Sequence, residues 1–101
     1  MSEYVLVRTR DAGVFAGNLH SPVTEITAPM PESLVLTDVR RIWYWDGAAS
    51  LSQLAVDGTS KPEFCKFPAP VPKAALNGVI EVLAVTSKAR KSIESVPVWS
   101  A

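Results

Sequence analysis

The residues from position 40 to 55, RRIWYWDGAASLSQLA, concentrate side chains that could bind a nucleotide. An arginine guanidinium can hold a phosphate through two parallel hydrogen bonds, and an aromatic ring can stack on a base. Serine and glutamine side chains can form hydrogen bonds with base edges or ribose hydroxyls. The block supplies all three kinds of group, from Arg40, Arg41, Trp43, Tyr44, Trp45, Ser50, Ser52 and Gln53.

Further candidate ligand contacts lie outside this block. Phe15 and Asn18 fall on a predicted hairpin, and Lys66 falls in a proline-rich arm. The basic segment KARKS, which includes Arg90, lies near the start of a predicted helix, where backbone amides attract phosphate. The residues that we expect to contact a ligand are Phe15, Asn18, Arg41, Trp43, Ser52, Gln53, Lys66 and Arg90.

A purely structural role would account for the same residues. A tryptophan ring on a strand commonly belongs to a core, where it buries up to ~250 Å². Arg40 and Arg41 could be surface charges at the edge of a sheet, and the serine and glutamine side chains could be the solvent-facing side of a helix. The KARKS segment is also typical of a solvated helix face. The sequence leaves both interpretations open.

Groups that could perform catalysis are scarce. His20 is the single histidine, and no second histidine or cysteine stands at a metal-ligand spacing, so we expect no metal site. Gly13 and Gly17 lie in a predicted hairpin, whereas a phosphate-binding glycine loop lies between a strand and a helix. Cys65 lies next to Lys66, but the sequence around it offers no general base that could activate a nucleophilic thiol. We therefore interpret Cys65 as a structural thiol. The sequence therefore predicts a binding protein, not an enzyme, that uses no cofactor.

Length, charge and cysteine content restrict the class of protein. A chain of 101 residues suits one domain, which we place at residues 1–101. Ten basic residues balance ten acidic ones, and this zero net charge argues against binding long nucleic acid, because that affinity comes mostly from phosphate neutralisation. The single cysteine, the lack of a signal-peptide pattern and apolar runs far shorter than the ~20 residues that span a bilayer predict a cytoplasmic protein without a membrane partner.

Turn-forming residues divide the first half of the chain into short strands. Alternating β-branched and aromatic residues predict a hairpin of residues 3–9 and 13–20. The three prolines of residues 21–33 indicate a loop around a short strand at residues 23–27. Residues 33–45 predict one long strand, or two short strands joined at Thr37 and Asp38. In strand geometry Val39, Arg41, Trp43 and Trp45 share one face.

The second half alternates helices with extended segments. Apolar residues at helical spacing predict a helix between Asp46, a possible N-cap, and Gly58. The run FCKFPAPVP is too rich in proline for a central strand and indicates an edge strand or an extended lid. Residues 77–86 predict a strand, and TSKARKSIES predicts a short helix capped by Thr86 or Ser87. Together the elements predict an α+β fold, mainly antiparallel β-sheet with one or two short helices.

The block RRIWYWDGAASLSQLA, with AGVFAG before it and CKF and KSIESVPVW after it, resembles a family of small phage and prophage proteins. The similarity extends from about Tyr4 to Trp99, and RRIWYW.GAASLSQLA is its most specific part. The sequence is also similar to the first-described Thoeris anti-defence sponges. Such proteins sequester cyclic ADP-ribose isomers made by bacterial TIR-domain immune enzymes without cleaving them, and some also hold cyclic oligonucleotides of the CBASS system.

This resemblance implies a phage protein that captures a small cyclic nucleotide in the cytoplasm of the infected bacterium. It implies ligand pockets between the subunits of a homodimer, which can assemble further into a hexamer. A chain that lacks catalytic groups and carries a local cluster of arginine and aromatic residues agrees with that expectation. Extra residues at 21–33 depart from the family pattern and leave the rim of any pocket undefined.

Two other classes of function are open. The tryptophan-rich strand could be an exposed surface by which a phage protein inhibits a host enzyme, since tryptophan, tyrosine and arginine dominate such surfaces. The chain could also be a small structural component of the phage that only assembles with itself.

Overall fold

The computed structural model describes residues 2–100, which form an antiparallel sheet of five strands and two short α-helices. The predicted α+β class is therefore confirmed. None of the helices within residues 2–100 is long and apolar enough to cross a membrane. The elements are β1 Tyr4–Thr9, β2 Val14–Leu19, β3 Leu34–Ile42, α1 Leu51–Asp57, β4 Val71–Leu76, β5 Val79–Ala84 and α2 Ser87–Ser95, with a 3₁₀ turn at Pro62–Phe64 before β4.

The order of the strands forces the sheet to curl. The order is β4-β3-β2-β1-β5, so β4 and β5 are opposite edges, although Asn77 and Gly78 alone separate them along the chain. Four strand spacings in a flat sheet amount to about 19 Å, whereas the three steps from Leu76 to Val79 reach at most about 11 Å. The two edges therefore meet at this link, where Gly78 has φ 67°, and the sheet forms a half-open barrel.

The two faces of the curled sheet carry separate cores. The inner face buries Val5, Val7 and Phe15, and Val23, Ile26 and Met30 of the proline-rich loop pack against this core. The outer face lies under the two helices. Its core includes Tyr4, Leu6, Ala16, Ile42, Leu54, Phe67, Ile93 and Val96. Because β1 is buried on both faces, its alternating side chains belong to two apolar cores rather than to one core and a solvent-facing side.

A β-bulge interrupts β3 at the point where the sequence suggested a junction between two strands. Ala16 pairs with Arg40 and Asn18 with Thr37, so Gly17 alone faces both Asp38 and Val39. Gly17 fits because an added Cβ would lie 3.0 Å from the Thr37 carbonyl oxygen. The extra residue explains why Leu36 and Val39, which are three positions apart, are both buried in the inner core.

Several predicted elements are correct in position. The hairpin of β1 and β2, the strand β5 and the helix α2 all form, and the Thr86 hydroxyl caps α2 by accepting a hydrogen bond from the Ala89 amide at 3.0 Å. Gly58 ends α1 and donates its amide hydrogen to the Leu54 carbonyl. The proline-rich arm leads into β4, which is an edge strand of the sheet.

Three local predictions are wrong. Residues 23–27 form no strand; they are a loop that packs Val23 and Ile26 against the inner core. The strand predicted to reach Trp45 ends at Ile42, because Ile42 pairs with Val14, the first residue of β2; beyond it Tyr44 forms an isolated antiparallel bridge with Lys66 instead of a continuous ladder. The helix starts at Leu51 and is capped by Ser50; Asp46 instead accepts a hydrogen bond from the Gly47 amide in a turn.

Arg40 is a buried charge that joins the sheet to the C-terminal part of the chain. Its residue exposure is 6%, and burial lowers the pKa of its guanidinium while Tyr4 raises it. All three guanidinium nitrogens donate to backbone carbonyl oxygens, and two of these oxygens lie at the C-terminal end of α2. The acceptors are Phe67 at 2.8 Å, Pro68 at 3.2 Å, Ile93 at 3.2 Å, Val96 at 2.8 Å and Pro97 at 3.5 Å.

We predict that Arg40→Lys lowers the free energy of unfolding by about 2 to 4 kcal/mol, because one ammonium cannot satisfy carbonyls on both segments. Urea denaturation measures the change. The matched control is Arg41→Lys, at the exposed neighbouring position, which should change the free energy by less than about 0.5 kcal/mol. Equal effects at the two positions would contradict the structural role of Arg40.

Candidate functional site

Arg41 is the centre of a surface that we call the Arg41 surface and define as Arg10, Phe15, Arg41 and Trp43. Phe15 and Arg41 are paired across β2 and β3, and the Arg41 guanidinium carbon lies 4.6 Å from the centre of the Phe15 ring. Arg41 Nη1 also donates to the Ala12 carbonyl oxygen at 2.7 Å. The ring and the carbonyl hold the guanidinium in place at the surface.

Three adjoining depressions surround this guanidinium. The largest, about 560 Å³, lies between the β1–β2 turn and the link from β4 to β5 and is lined by Arg10 and Phe15. A second, of about 290 Å³, extends to Trp43, and a third, of about 160 Å³, extends along β4. Arg41 lines all three. Trp43 is 65% exposed, so its ring is available for stacking.

The charges of the Arg41 surface favour an anion. Arg10 and Arg41 carry two positive charges, against one negative charge on Asp11. Arg41 Nε and Nη2 donate to no atom of residues 2–100, so two directions of its fork are open to a ligand. An arginine with a fixed plane and free donors is suited to a phosphate or carboxylate.

A second concave region, the α2 groove, lies between the outer face of the sheet and α2. It has a volume of about 390 Å³. The guanidinium carbon of Arg90 lies 4.6 Å from the centre of the Tyr4 ring, and Arg90 Nε donates to Glu94 at 3.2 Å. The groove's polar side chains are Tyr4, Asn18, Asp38, Arg40, Arg90 and Glu94, and its apolar wall consists of Pro70, Val96 and Val98.

An aromatic surface surrounds Lys66, which lies beside the end of β3. Its ammonium nitrogen is 5.9 Å from the centre of the Tyr44 ring and 5.6 Å from that of Trp99. Backbone hydrogen bonds fix the two segments, since Lys66 and Tyr44 each donate to the other's carbonyl, at 2.7 and 3.3 Å. Tyr44 and Trp99 are 49% and 41% exposed. We call these three residues the Lys66 surface.

The structure brings together three of the residues predicted to contact a ligand, Phe15, Arg41 and Trp43. Asn18 and Arg90 lie together in the α2 groove, on the other face of the sheet, and Lys66 lies in its own surface. Phe15 is 4% exposed and supports Arg41 from below rather than offering a free ring.

The two predicted contacts on α1 belong to neither concave region. The side-chain oxygen Oε1 of Gln53 accepts a hydrogen bond from the Ala49 backbone amide at 2.7 Å. The backbone amide of Gln53 donates to the Ser50 hydroxyl at 3.1 Å. Both bonds lie at the N-terminus of α1, where they satisfy backbone amides and give Gln53 a structural role. Ser52 is exposed next to it. Within residues 2–100, no group of three or more histidine, cysteine, aspartate or glutamate side chains could hold a metal ion.

Sequence reasoning missed four residues of the concave regions: Arg10, Tyr4, Asp38 and Glu94. Arg10 lies in the turn after β1, and the link between β4 and β5 forms the other side of its depression. Asp38 lies in the bulge of β3 opposite Gly17. Glu94 is four residues after Arg90 on a predicted helix, a spacing that places two side chains side by side, and this signal could have found it.

The comparisons with known proteins identify a domain but no activity. A family model described as "Domain of unknown function (DUF6948)" matches residues 2–93. No curated protein and no solved structure matches the chain.

Tyr4 makes the stability of the fold depend on alkaline pH. Burial raises the pKa of its hydroxyl from 10.0 to about 12, and Glu94 adds to this, while Arg90 and Arg40 lower it. Between pH 10 and pH 12 the unfolded chain loses this proton and the folded protein keeps it. Stability from this group is therefore complete below pH 10 and is lost as the pH rises to about 12.

We predict that the wild type loses roughly 2 to 3 kcal/mol more free energy of unfolding between pH 10 and pH 12 than Tyr4→Phe does. Urea denaturation at a series of pH values measures the difference. Tyr44→Phe, which removes the hydroxyl of the half-exposed tyrosine, is the control and should keep the wild-type slope. Parallel curves for the wild type and Tyr4→Phe would exclude a buried, protonated Tyr4.

Proposed function

The chain belongs to this family of unknown function, DUF6948, and we propose that it binds a small cyclic nucleotide on the Arg41 surface and holds it without cleaving it. The ligand class is that of the cyclic ADP-ribose isomers, with cyclic oligonucleotides as a second group. The protein thereby acts as a phage anti-defence sponge in the cytoplasm of the infected bacterium.

The observation that carries this proposal is the fixed Arg41 guanidinium. Its contacts with the Phe15 ring and the Ala12 carbonyl restrict its motion, so less side-chain entropy is lost when it binds an anion. Arg10 adds a second positive charge at the same depression, and Trp43 offers an exposed ring at the adjoining one. A ligand with phosphates next to a base matches this arrangement of two arginines beside an exposed indole ring.

The polar groups around Arg41 are suited to binding and offer little for bond cleavage. Among residues 2–100, Asp11 is the one carboxylate that lines these depressions. General acid and base catalysis commonly combines two titratable groups with different proton affinities. The proposal is therefore sequestration, in which the ligand leaves chemically unchanged.

A second copy of the chain would complete the site. The depressions beside Arg41 are open to solvent, whereas tight small-molecule sites enclose most of the ligand's surface. The exposed Trp43 ring and the edge strand β4 border the depressions and are suited to contact with a neighbouring protomer. We propose a homodimer with the ligand between its subunits, which can assemble further into a hexamer.

We expect Arg41→Ala to weaken binding of a cyclic ADP-ribose isomer by about 10- to 100-fold, because a charged fork on phosphate is lost. Trp43→Ala should weaken it by about tenfold through loss of stacking. Isothermal titration calorimetry measures both affinities, and chromatography of the recovered ligand checks that it is intact. Arg8→Ala, which removes an exposed arginine paired with Glu81 on the other face of the sheet, is the charge-matched control and should bind as the wild type does.

The proposal fails if neither cyclic ADP-ribose isomers nor cyclic trinucleotides release heat with the wild type at micromolar concentrations. It also fails if Arg8→Ala weakens binding as much as Arg41→Ala, since the effect would then be one of net charge. Recovery of the ligand in hydrolysed form would contradict sequestration and indicate catalysis.

A protein-binding inhibitor is a second candidate, favoured by exposed aromatic side chains near the Lys66 surface. Trp43, Tyr44, Phe64 and Trp99 are each at least 41% exposed, and large exposed apolar groups often mark contacts with other proteins. A pull-down from host lysate distinguishes the two functions. A stoichiometric host enzyme lost with Trp99→Ala but retained with Arg41→Ala would favour the inhibitor.

A further inference from the structure

The α2 groove contains a tyrosine hydroxyl that has no hydrogen-bond partner among the described residues. Tyr4 is 7% exposed, yet its hydroxyl forms no hydrogen bond with any atom of residues 2–100. Side-chain oxygens and nitrogens of residues 2–100 that are sealed from solvent all have partners, so this oxygen opens into the groove that Tyr4 lines. Water or a bound molecule can satisfy it there, and a polar group that faces a cavity without a partner in the protein is a candidate ligand contact.

Asp38 is a second indication that the groove is built for a ligand. It has φ 50°, in the left-handed region that non-glycine residues seldom adopt, and it is the extra residue of the β3 bulge. The bulge places its carboxylate at the groove instead of continuing the alternation of the strand. Asp38 forms no ion pair within residues 2–100, so its oxygens can accept hydrogen bonds from a ligand.

The charges around the groove balance and argue against a charged ligand. Arg40 and Arg90 oppose Asp38 and Glu94, and the guanidinium of Arg40 already donates to backbone carbonyls. A phosphate or carboxylate would have to displace Glu94 from Arg90 and would lie near Asp38. An ammonium would lie close to both arginines. An uncharged polar molecule meets neither penalty.

The hydrogen-bonding groups specify the chemistry of such a molecule. Asp38 and Glu94 are carboxylates that accept pairs of hydrogen bonds, and Asn18 both donates and accepts. The protonated Tyr4 hydroxyl can donate to a ligand oxygen. Val96, Val98 and Pro70 provide an aliphatic wall for carbon atoms. Neighbouring hydroxyl groups on a saturated ring match this combination, and a volume of about 390 Å³ accommodates a nucleoside or a small saccharide.

We infer that the α2 groove is a second binding site, separate from the Arg41 surface, which takes an uncharged ligand through the vicinal hydroxyls of a sugar ring. The sugar is either the ribose of an unphosphorylated nucleoside or a free saccharide. Tyr4 and Asn18 contact the sugar ring from the floor of the groove, and Asp38 at the rim accepts hydrogen bonds from its hydroxyl groups. This inference does not depend on the proposed capture of cyclic nucleotides.

The test is a titration followed by amide NMR, with adenosine, its dideoxy analogue, adenosine monophosphate and D-glucose as probes. We expect adenosine or glucose to shift the amide signals of Asn18, Asp38 and Arg90 at millimolar concentrations or below. The dideoxy analogue, which lacks the diol, should bind at least about tenfold more weakly than adenosine. Binding by adenosine alone identifies a nucleoside as the ligand, and binding by glucose identifies a saccharide.

Two variants connect that binding to the groove. Tyr4→Phe removes only the unpartnered hydroxyl, so the fold remains, and affinity should fall about tenfold, whereas the matched variant Tyr44→Phe should bind as the wild type does. Asp38→Asn retains a side chain that tolerates positive φ and removes the carboxylate, and it should also weaken binding. Arg41→Ala, which disables the other proposed site, should leave this affinity unchanged.

Four results would overturn the inference. They are the absence of shifts with both adenosine and glucose, equal binding by the dideoxy analogue, equal binding by Tyr4→Phe, and binding of the monophosphate in this groove more tightly than adenosine. Shifts centred on Arg41 that disappear in Arg41→Ala would assign the ligand to the Arg41 surface and leave the groove without one. Failure of the cyclic nucleotides at the Arg41 surface would not affect these outcomes.

Discussion

The buried guanidinium of Arg40 is the interaction on which the arrangement of this molecule depends. It lies on the outer face of the sheet, and its donors reach the backbone of the segment after the 3₁₀ turn and the C-terminal end of α2. The burial of one charge is unfavourable unless its hydrogen bonds are satisfied, and here five carbonyl oxygens satisfy them. The helix and the approach to β4 are thereby fixed against the same point of β3. Both walls of the α2 groove follow from that attachment.

The curl of the sheet is the second constraint, and it determines the other face. Because β4 continues into β5 across two residues, the edges of the sheet meet at that link and the sheet curls around the inner core. The same link borders the depression beside Arg41, so the concave surface there is a consequence of the curl of the sheet. Two arginines that are adjacent in the sequence consequently lie on opposite faces of the sheet. Arg40 joins backbone segments on the outer face, and Arg41 remains at the surface over Phe15 on the inner one.

The two concave regions differ in charge and therefore in the ligands that they suit. The Arg41 surface has an excess of positive charge and an exposed indole, which fit a phosphorylated ligand with a base. The α2 groove has balanced charges, an unpartnered tyrosine hydroxyl and an aliphatic wall, which fit a neutral sugar. The proposed sponge function concerns the first region alone. A protein of this size can hold two such regions because its sheet is covered by helices on one face and curled on the other.

The sequence by itself determined the α+β class, the first hairpin, the position of β5 and the capping of α2 by Thr86, because these depend on alternation and on caps within a few residues. It also predicted Phe15, Arg41 and Trp43 as ligand contacts, and the fold brings these three residues to one surface. Tertiary structure alone decided which arginine is buried, since neighbouring strand positions with the same side chain differ only in what packs on each face. It likewise decided the end of β3, the bulge at Asp38 and the opening beside Tyr4, because each depends on a partner strand or helix distant in the sequence.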